Sequence, residues 1–291
     1  MTTRTLDLEP LDATFGAVVR GVELRTLDER IWRQIHEAWI EFALLIFPGQ
    51  FPTQDEQNAF ARRFGELEFP AAPITNLGRD GAVHSEATDD IVKSIRGNEG
   101  WHHDSTYMPV QAKGAVFSAE IIPSEGADTG FADMRDAYEA LDAATRDRIA
   151  GMSAYHSLEY SQGRIGYLPS KRTADGGYDQ YGYHGGDVPL RPMVKVHPVT
   201  GRANLLIGRH AHAIGGMDPD DSEALIDRIN QDACADPRRV YHHEWTLGDA
   251  VVWDNRRLMH RATPFDLTEP RRMWHTRIAG ERATELATNY A

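Results

Sequence analysis

A mainly β fold with α insertions, built as a double-sheet jelly roll flanked by helices, is the architecture this sequence predicts. Three observations carry it. Apolar runs are short and broken by Gly and Pro turns; helical periodicity is confined to a few separate stretches; and no regular strand-helix alternation suggests a parallel α/β sheet. Apolar residues make up 41 % of the 291, enough for a core. With no visible linker, repeat or low-complexity tract, residues 1–291 are expected to form a single domain.

Residues 4–24 alternate weakly about a turn near Asp12 to Gly16 and predict a strand pair at the edge of the fold. Over 28–42, Ile31, Trp32, Ile35, Ala38, Trp39 and Phe42 recur at helical spacing. Residues 43–47 then run as a buried strand, stopped by Pro48 and Gly49. Thr53-Gln-Asp-Glu56 is a capping-box pattern that opens a helix with Phe60 and Phe64 on one face, closed by Gly65. Residues 66–100 have no sustained period and carry Pro70, Pro73, Gly78, Gly81 and Gly97, which predicts a long loop.

An extended strand is expected over 101–107 and another over 114–122; Gly126-Ala-Asp-Thr129 turns the chain into a third. Met134, Ala137, Tyr138 and Leu141 mark a helix. The Tyr- and Gly-rich stretch 158–190 either closes over a pocket or remains a surface excursion. A hairpin is expected from 192–197 and 203–207, an amphipathic helix over 221–233, and strands over 240–245, 250–253 and 271–278.

The formal net charge of −13 argues against a nucleic-acid groove and an anionic membrane surface as partners. A small anionic substrate stays compatible, because a local cluster of Arg, Lys and His can reverse the potential inside a pocket. Cys234 is the only cysteine, so an intramolecular disulfide and a Cys-rich zinc site are excluded. The first residues lack an apolar signal core and no stretch is long enough to span a bilayer, which leads to the expectation of a cytoplasmic protein. A homo-oligomer stays open.

The chemistry centres on Trp101-His-His-Asp-Ser-Thr-Tyr107. In an extended strand His102 and Asp104 face one side and His103 the other. An imidazole and a carboxylate side by side are either an ordinary hydrogen-bonded pair or two members of a facial triad awaiting a distant histidine. Among later histidines, His260 stands out: it follows an apolar strand ending in Asp254-Asn-Arg256 and precedes another strand.

The ordered set W-H-x-D (101–104), G-x-D-T (126–129), W-D-N-R-x-x-x-H (253–260) and Arg271, eleven residues beyond that histidine, resembles the taurine dioxygenase and 2,4-D dioxygenase family of iron- and 2-oxoglutarate-dependent oxygenases. The resemblance implies a cupin-like double-stranded β-helix. It implies that His102, Asp104 and His260 bind Fe(II), and that Arg271 and Thr129 hold the far carboxylate of the cosubstrate 2-oxoglutarate. It also implies consumption of O2 with release of succinate and CO2. Arg272 is expected at the surface, Asp254, Asn255 and Arg256 as a structural turn supporting His260, and Trp101 and Trp253 in the core. His36, His103, His197, His242 and His243 are expected not to ligate.

The family's second arginine, four residues after the first, is replaced here by His275, which weakens a sulfonate assignment because histidine cannot make the same bidentate clamp. Asn98 matches a family position near the substrate. Gly97-Asn98, the stretches 101–110, 114–120, 131–135 and 205–214, and Met273-Trp-His275 resemble the branch of (S)-selective phenoxypropionate dioxygenases. That branch implies hydroxylation at the carbon bearing the ether oxygen of an aryloxyalkanoate, followed by collapse to a phenol and a keto acid. Lys93, His210 or His212, assisted by His275, are expected to anchor the substrate carboxylate, with Phe69, Ile74, Ile95 and Tyr107 as apolar walls. The alternatives are the same chemistry on a sulfonate, sulfate ester or natural carboxylate, a zinc or manganese hydrolase or isomerase, and a non-catalytic jelly-roll binding module.

Overall fold

The computed structural model describes residues 6–167 and 181–291. Strands β1 (Asp7–Pro10) and β2 (Ala17–Arg20) form the expected edge pair. Helix α1 (Glu29–Phe42) starts at Asp28, whose carboxylate accepts from the Arg30 and Ile31 N–H groups, and ends at Ala43 in the left-handed region (φ 62°). The chain then turns into β3 (Leu44–Phe47), and α2 (Gln54–Arg62) opens with the Thr53–Glu56 capping box.

The expected loop over 66–100 is corrected: it contains β4 (Leu67–Thr75) and α3 (Asp90–Gly97). Pro70 and Pro73 hid the strand, but β4 lies at the sheet edge with β15 as its one neighbour, where a missing N–H is tolerated. There follow β5 (Gly114–Ile121), β6 (Thr129–Asp133), α4 (Met134–Ala140), α5 (Ala143–Ile149), β7 (Ser153–His156) and α6 (Leu158–Gly163). After residues 168–180, which lie outside the described part of the 158–190 stretch, come β8 (Leu190–Pro192), β9 (Val194–Val196), β10 (Ala203–Leu205) and β11 (Ala211–Ile214). The chain finishes with α7 (Pro219–Ala233), β12 (Val240–His243), β13 (Ala250–Asp254), β14 (Leu258–Ala262), β15 (Arg272–Ile278) and α8 (Arg282–Glu285).

Seven strands in the order β1-β2-β3-β13-β5-β15-β4 make the main sheet, and β12-β6-β14 make a smaller one facing it. The two-residue period of β13 shows how one strand serves two layers. Ala250 and Val252 pack with Ile35, Trp39, Phe60 and Phe64 under α1 and α2, whereas Val251 and Trp253 point into the inter-sheet core with Phe117, Phe131 and Leu258. This is the cupin-like jelly roll flanked by helices.

Polar residues of the turn after β13 are buried and paired. Arg256 clamps Asp254 through Nε (2.8 Å) and Nη2 (2.6 Å), and His197 Nε2 lies 3.1 Å from the same carboxylate. Arg257 binds Asp133 on β6 at 3.0 and 2.6 Å and donates to the Glu41 and Thr14 carbonyls. The turn therefore fixes the start of β14, and with it His260, against both sheets.

A second correction concerns 101–107. Only His102 pairs, as an isolated bridge to His260, and the chain then turns through Ser105 in the left-handed region (φ 55°). Among the described residues no helix is long and apolar enough to cross a membrane.

His156 at the end of β7 is fully buried, and neither ring nitrogen has a hydrogen-bond partner among the described residues. Burial, with Arg191 nearby, pushes its pKa well below 6.5. The unfolded chain thus binds a proton that the folded chain refuses, so stability is present above about pH 6.5 and falls as the pH drops below it. His156→Leu should reduce the slope of stability against pH by up to about 1.4 kcal/mol per pH unit. Urea unfolding at pH 7 and 5.5 measures this, and an unchanged slope would show that His156 is not a source of the acid sensitivity.

Candidate active site

The His102–His260 bridge does the first part of the assembly. His102 N–H donates to the His260 carbonyl (3.0 Å) and His260 N–H to the His102 carbonyl (2.8 Å). Directly opposed residues in such a pair project to the same side, and the two rings stand 4.2 Å apart. His102 Nδ1 donates to the Gly100 carbonyl (2.8 Å), which leaves the Nε2 lone pair facing inward.

Asp104 joins them through a turn instead of strand alternation. Asn255 holds that turn: its Oδ1 accepts from Asp104 N–H (2.8 Å), and its Nδ2 donates to the Asp104 (3.0 Å) and Ala112 (2.8 Å) carbonyls. His103 points the other way, donating from Nδ1 to the Asn255 carbonyl (2.8 Å). Ligand atoms of His102, Asp104 and His260 all lie within 4.8 Å of one another, a spacing that can hold a metal ion. Among the described residues Asp104 Oδ2 has no hydrogen-bond partner; His275 Nε2 stands 3.3 Å away without the alignment of a hydrogen bond. A buried carboxylate oxygen and an inward imidazole lone pair suit a divalent cation with nitrogen and oxygen ligands.

The protonation states are those a metal requires. Burial pushes His102 down to about 4, and burial together with the His102 ring keeps His260 well below its ordinary value. For Asp104, burial raises the carboxyl, but Arg277 and the neighbouring histidines outweigh it and hold it well below the usual range. Arg277 Nη2 donates to Asp104 Oδ1 at 2.7 Å, while its Nη1 donates to Ser105 Oγ at 3.0 Å.

A cavity with about 500 Å3 of atom-free space, open solvent included, lies over the triad. Phe117, Trp253 and Ile74 form apolar walls, and Thr129, Arg271 and Asn98 supply polar groups. Arg271 is buried and has no carboxylate partner among the described residues; its Nη2 reaches only the Ala127 carbonyl at 3.4 Å. Burial alone pulls its pKa down to about 10. An unpaired buried guanidinium is costly and marks a place for an anion.

The residues expected around the substrate separate. Asn98 and His275 line the cavity, with His275 stacked on Trp253 (5.6 Å between centroids). His210 is buried behind the wall, edge-on to His102 and bonded to Ser161. Lys93 is not brought to the cavity; its ammonium lies 3.5 Å from Asp90. Nor is His212, which stacks on Tyr160 at 4.3 Å. Of the expected walls, Ile74 lines the cavity, and Phe69 packs edge-on to His275. Arg272 pairs with Glu120 at the surface, as expected.

Arg277 escaped the sequence reading. Its signal was present: Met273, His275 and Arg277 occupy alternate buried positions of β15, so a cation two residues beyond His275 was due on the same side.

The family model described as taurine catabolism dioxygenase TauD, TfdA family matches residues 7–278. The chain is 57% identical, over 97% of each chain, to the (S)-phenoxypropionate/alpha-ketoglutarate-dioxygenase of Sphingobium herbicidovorans. It is 52% identical to the enzyme of the same name from Delftia acidovorans, over 97% of this chain and 98% of that one. The solved structure of AAD-2 in complex with Mn(II) and N-oxalylglycine superposes with a TM-score of 0.87 at 34% identity, covering 98% of this chain and 99% of that one. The family match, the similarity of the whole chain to these relatives and the triad set in this fold have one reading: the chain belongs to the TauD/TfdA family and is an Fe(II)- and 2-oxoglutarate-dependent dioxygenase.

Proposed function

We propose that His102, Asp104 and His260 hold the Fe(II), that Arg271 and Thr129 bind the far carboxylate of 2-oxoglutarate, and that the prime substrate is an (S)-2-aryloxypropionate or a related aryloxyalkanoate. The observation that carries the reading is the juxtaposition, in one cavity, of the triad with a buried guanidinium that has no carboxylate partner among the described residues. The 57% and 52% identities to (S)-phenoxypropionate dioxygenases support the substrate class.

When bound, iron with 2-oxoglutarate and O2 supplies an oxidative decarboxylation, giving succinate and CO2, coupled to hydroxylation of a C–H bond. The chain's part is to bind and orient. Arg271 offers two parallel donors to a carboxylate, Phe117, Trp253 and Ile74 exclude water, and Arg277 keeps Asp104 ionised. Asn98 and His275 on the wall are assigned to the substrate. Hydroxylation at the ether carbon gives a hemiketal; its carbon–oxygen bond breaks with proton transfer to the aryloxy oxygen, releasing a phenol and a 2-keto acid.

The same reading takes residues 1–291 as one catalytic domain, acting in the cytoplasm on a small anion and not on nucleic acid. The acidic net charge of −13 supports the last point.

Anaerobic titration with Fe(II) and 2-oxoglutarate, followed by oxygen and a panel of aryloxyalkanoates, sulfonates and sulfate esters, tests it. The expected result is a visible charge-transfer band, then succinate in step with phenol from an (S)-aryloxypropionate. Succinate coupled to a sulfonate or sulfate ester alone would overturn the substrate class, and no band would overturn the site. Arg271→Ala should raise the 2-oxoglutarate requirement about 100-fold, since one partner of a buried ion pair is lost. An unchanged requirement would move the cosubstrate elsewhere.

A further inference from the structure

Thr129 opens β6 at the cavity wall, and one orientation of its hydroxyl is blocked. Trp245, just beyond the end of β12, donates its indole N–H to Thr129 Oγ1 at 3.0 Å. An indole nitrogen can only donate, so Thr129 Oγ1 must accept here. Its own hydrogen is then left for a second partner, and no described residue accepts it.

The indole is held firmly enough to impose this polarity. Phe117 meets its ring edge-on at 5.4 Å and His243 at 4.5 Å. His243 Nε2 lies 3.3 Å from Asp249 Oδ2, and Asp249 in turn accepts from the Gly49 and Thr246 N–H groups, both at 3.1 Å. Register adds to the constraint, since His243 on β12 pairs directly with Thr129 on β6. On the cavity side Phe117 also lies under the Arg271 guanidinium, 6.0 Å from ring centre to Cζ.

We infer that Trp245 is a positioning residue for the cosubstrate: by occupying one lone pair of Thr129 Oγ1 it bars the orientation in which the hydroxyl hydrogen points back at the indole, which favours the hydroxyl as a donor beside Arg271 for a carboxylate. Without the indole N–H the hydroxyl can rotate and turn a lone pair toward Arg271, satisfying the cation that the ligand should satisfy. The inference rests on the reading that Arg271 and Thr129 bind the far carboxylate of 2-oxoglutarate. It goes beyond that reading by assigning a role to a residue outside the cavity.

The test is calorimetric binding of 2-oxoglutarate to Mn(II)-loaded protein, without turnover, for the native chain, Trp245→Phe, Thr129→Val and the double variant. Trp245→Phe should weaken binding about 5- to 10-fold and Thr129→Val about 10-fold, with the double variant no weaker than Thr129→Val, because the indole acts only through the hydroxyl. Binding of 2-oxopentanoate, which has a methyl group where 2-oxoglutarate has its far carboxylate, should not change with Trp245→Phe. If that variant folds poorly, replacing Trp245 with benzothienylalanine removes the N–H and keeps the ring. Losses that multiply in the double variant, or equal losses for both keto acids, would overturn the role of Trp245 while leaving the cosubstrate site standing. Unchanged affinity in Thr129→Val would overturn both.

Discussion

His260→Ala is expected to fold, to retain no Fe(II) after dialysis, and to form no succinate above background. The bridge that seats His260 is made by backbone groups, so alanine keeps the hydrogen bonds to His102 and the pairing of β14 with β6. What disappears is one of three inward ligand atoms. Loss of groups that merely orient metal ligands costs about 10- to 100-fold in affinity, so loss of a ligand should cost at least about 100-fold. Metal analysis, circular dichroism and succinate assay together separate a folded, empty protein from a misfolded one. Stoichiometric iron in a folded His260→Ala chain would shift the third ligand to another imidazole. His275, whose Nε2 is 3.3 Å from Asp104, is then the nearest candidate.

That His102 and Asp104 converge is legible in the sequence, although strand alternation is not what brings them together. Strand alternation predicts the shared face, yet only His102 is paired and Asp104 arrives through a turn clamped by Asn255. The clamp comes from a segment distant in sequence, so no local period reveals it. Elements with a strong local signal are found where expected: the α1 periodicity, the Thr53 capping box and the two-faced β13 strand. Strand β4 was hidden because its two prolines, which would exclude a central strand, are acceptable at an edge whose position only the completed sheet defines. The position of Lys93 away from the cavity has a related cause. Helix α3, unseen in the sequence, carries it to an ion pair with Asp90 and away from the cavity.

Arg277→Met should be the most damaging change outside the ligands, costing the metal-free protein about 3–5 kcal/mol, because it leaves a buried carboxylate without its cation. Arg277 and Asp104 are both buried, and their 2.7 Å contact is the guanidinium's shortest. Burial works against the Asp104 charge, and Arg277 is the first influence opposing it. A bound divalent cation would supply the missing positive charge at the same carboxylate. The loss should therefore shrink when Mn(II) saturates the site, since a ligand that binds only the folded state adds to stability. Urea unfolding with and without Mn(II) measures both quantities. Arg272→Ala is the control: at the start of the same strand and on the outer face of the sheet, it breaks an ion pair with Glu120 that solvent screens, and should cost less than about 1 kcal/mol. Equal losses for the two arginines, or a loss at Arg277 that Mn(II) does not reduce, would mean that the guanidinium serves packing and not the charge of the metal-binding carboxylate.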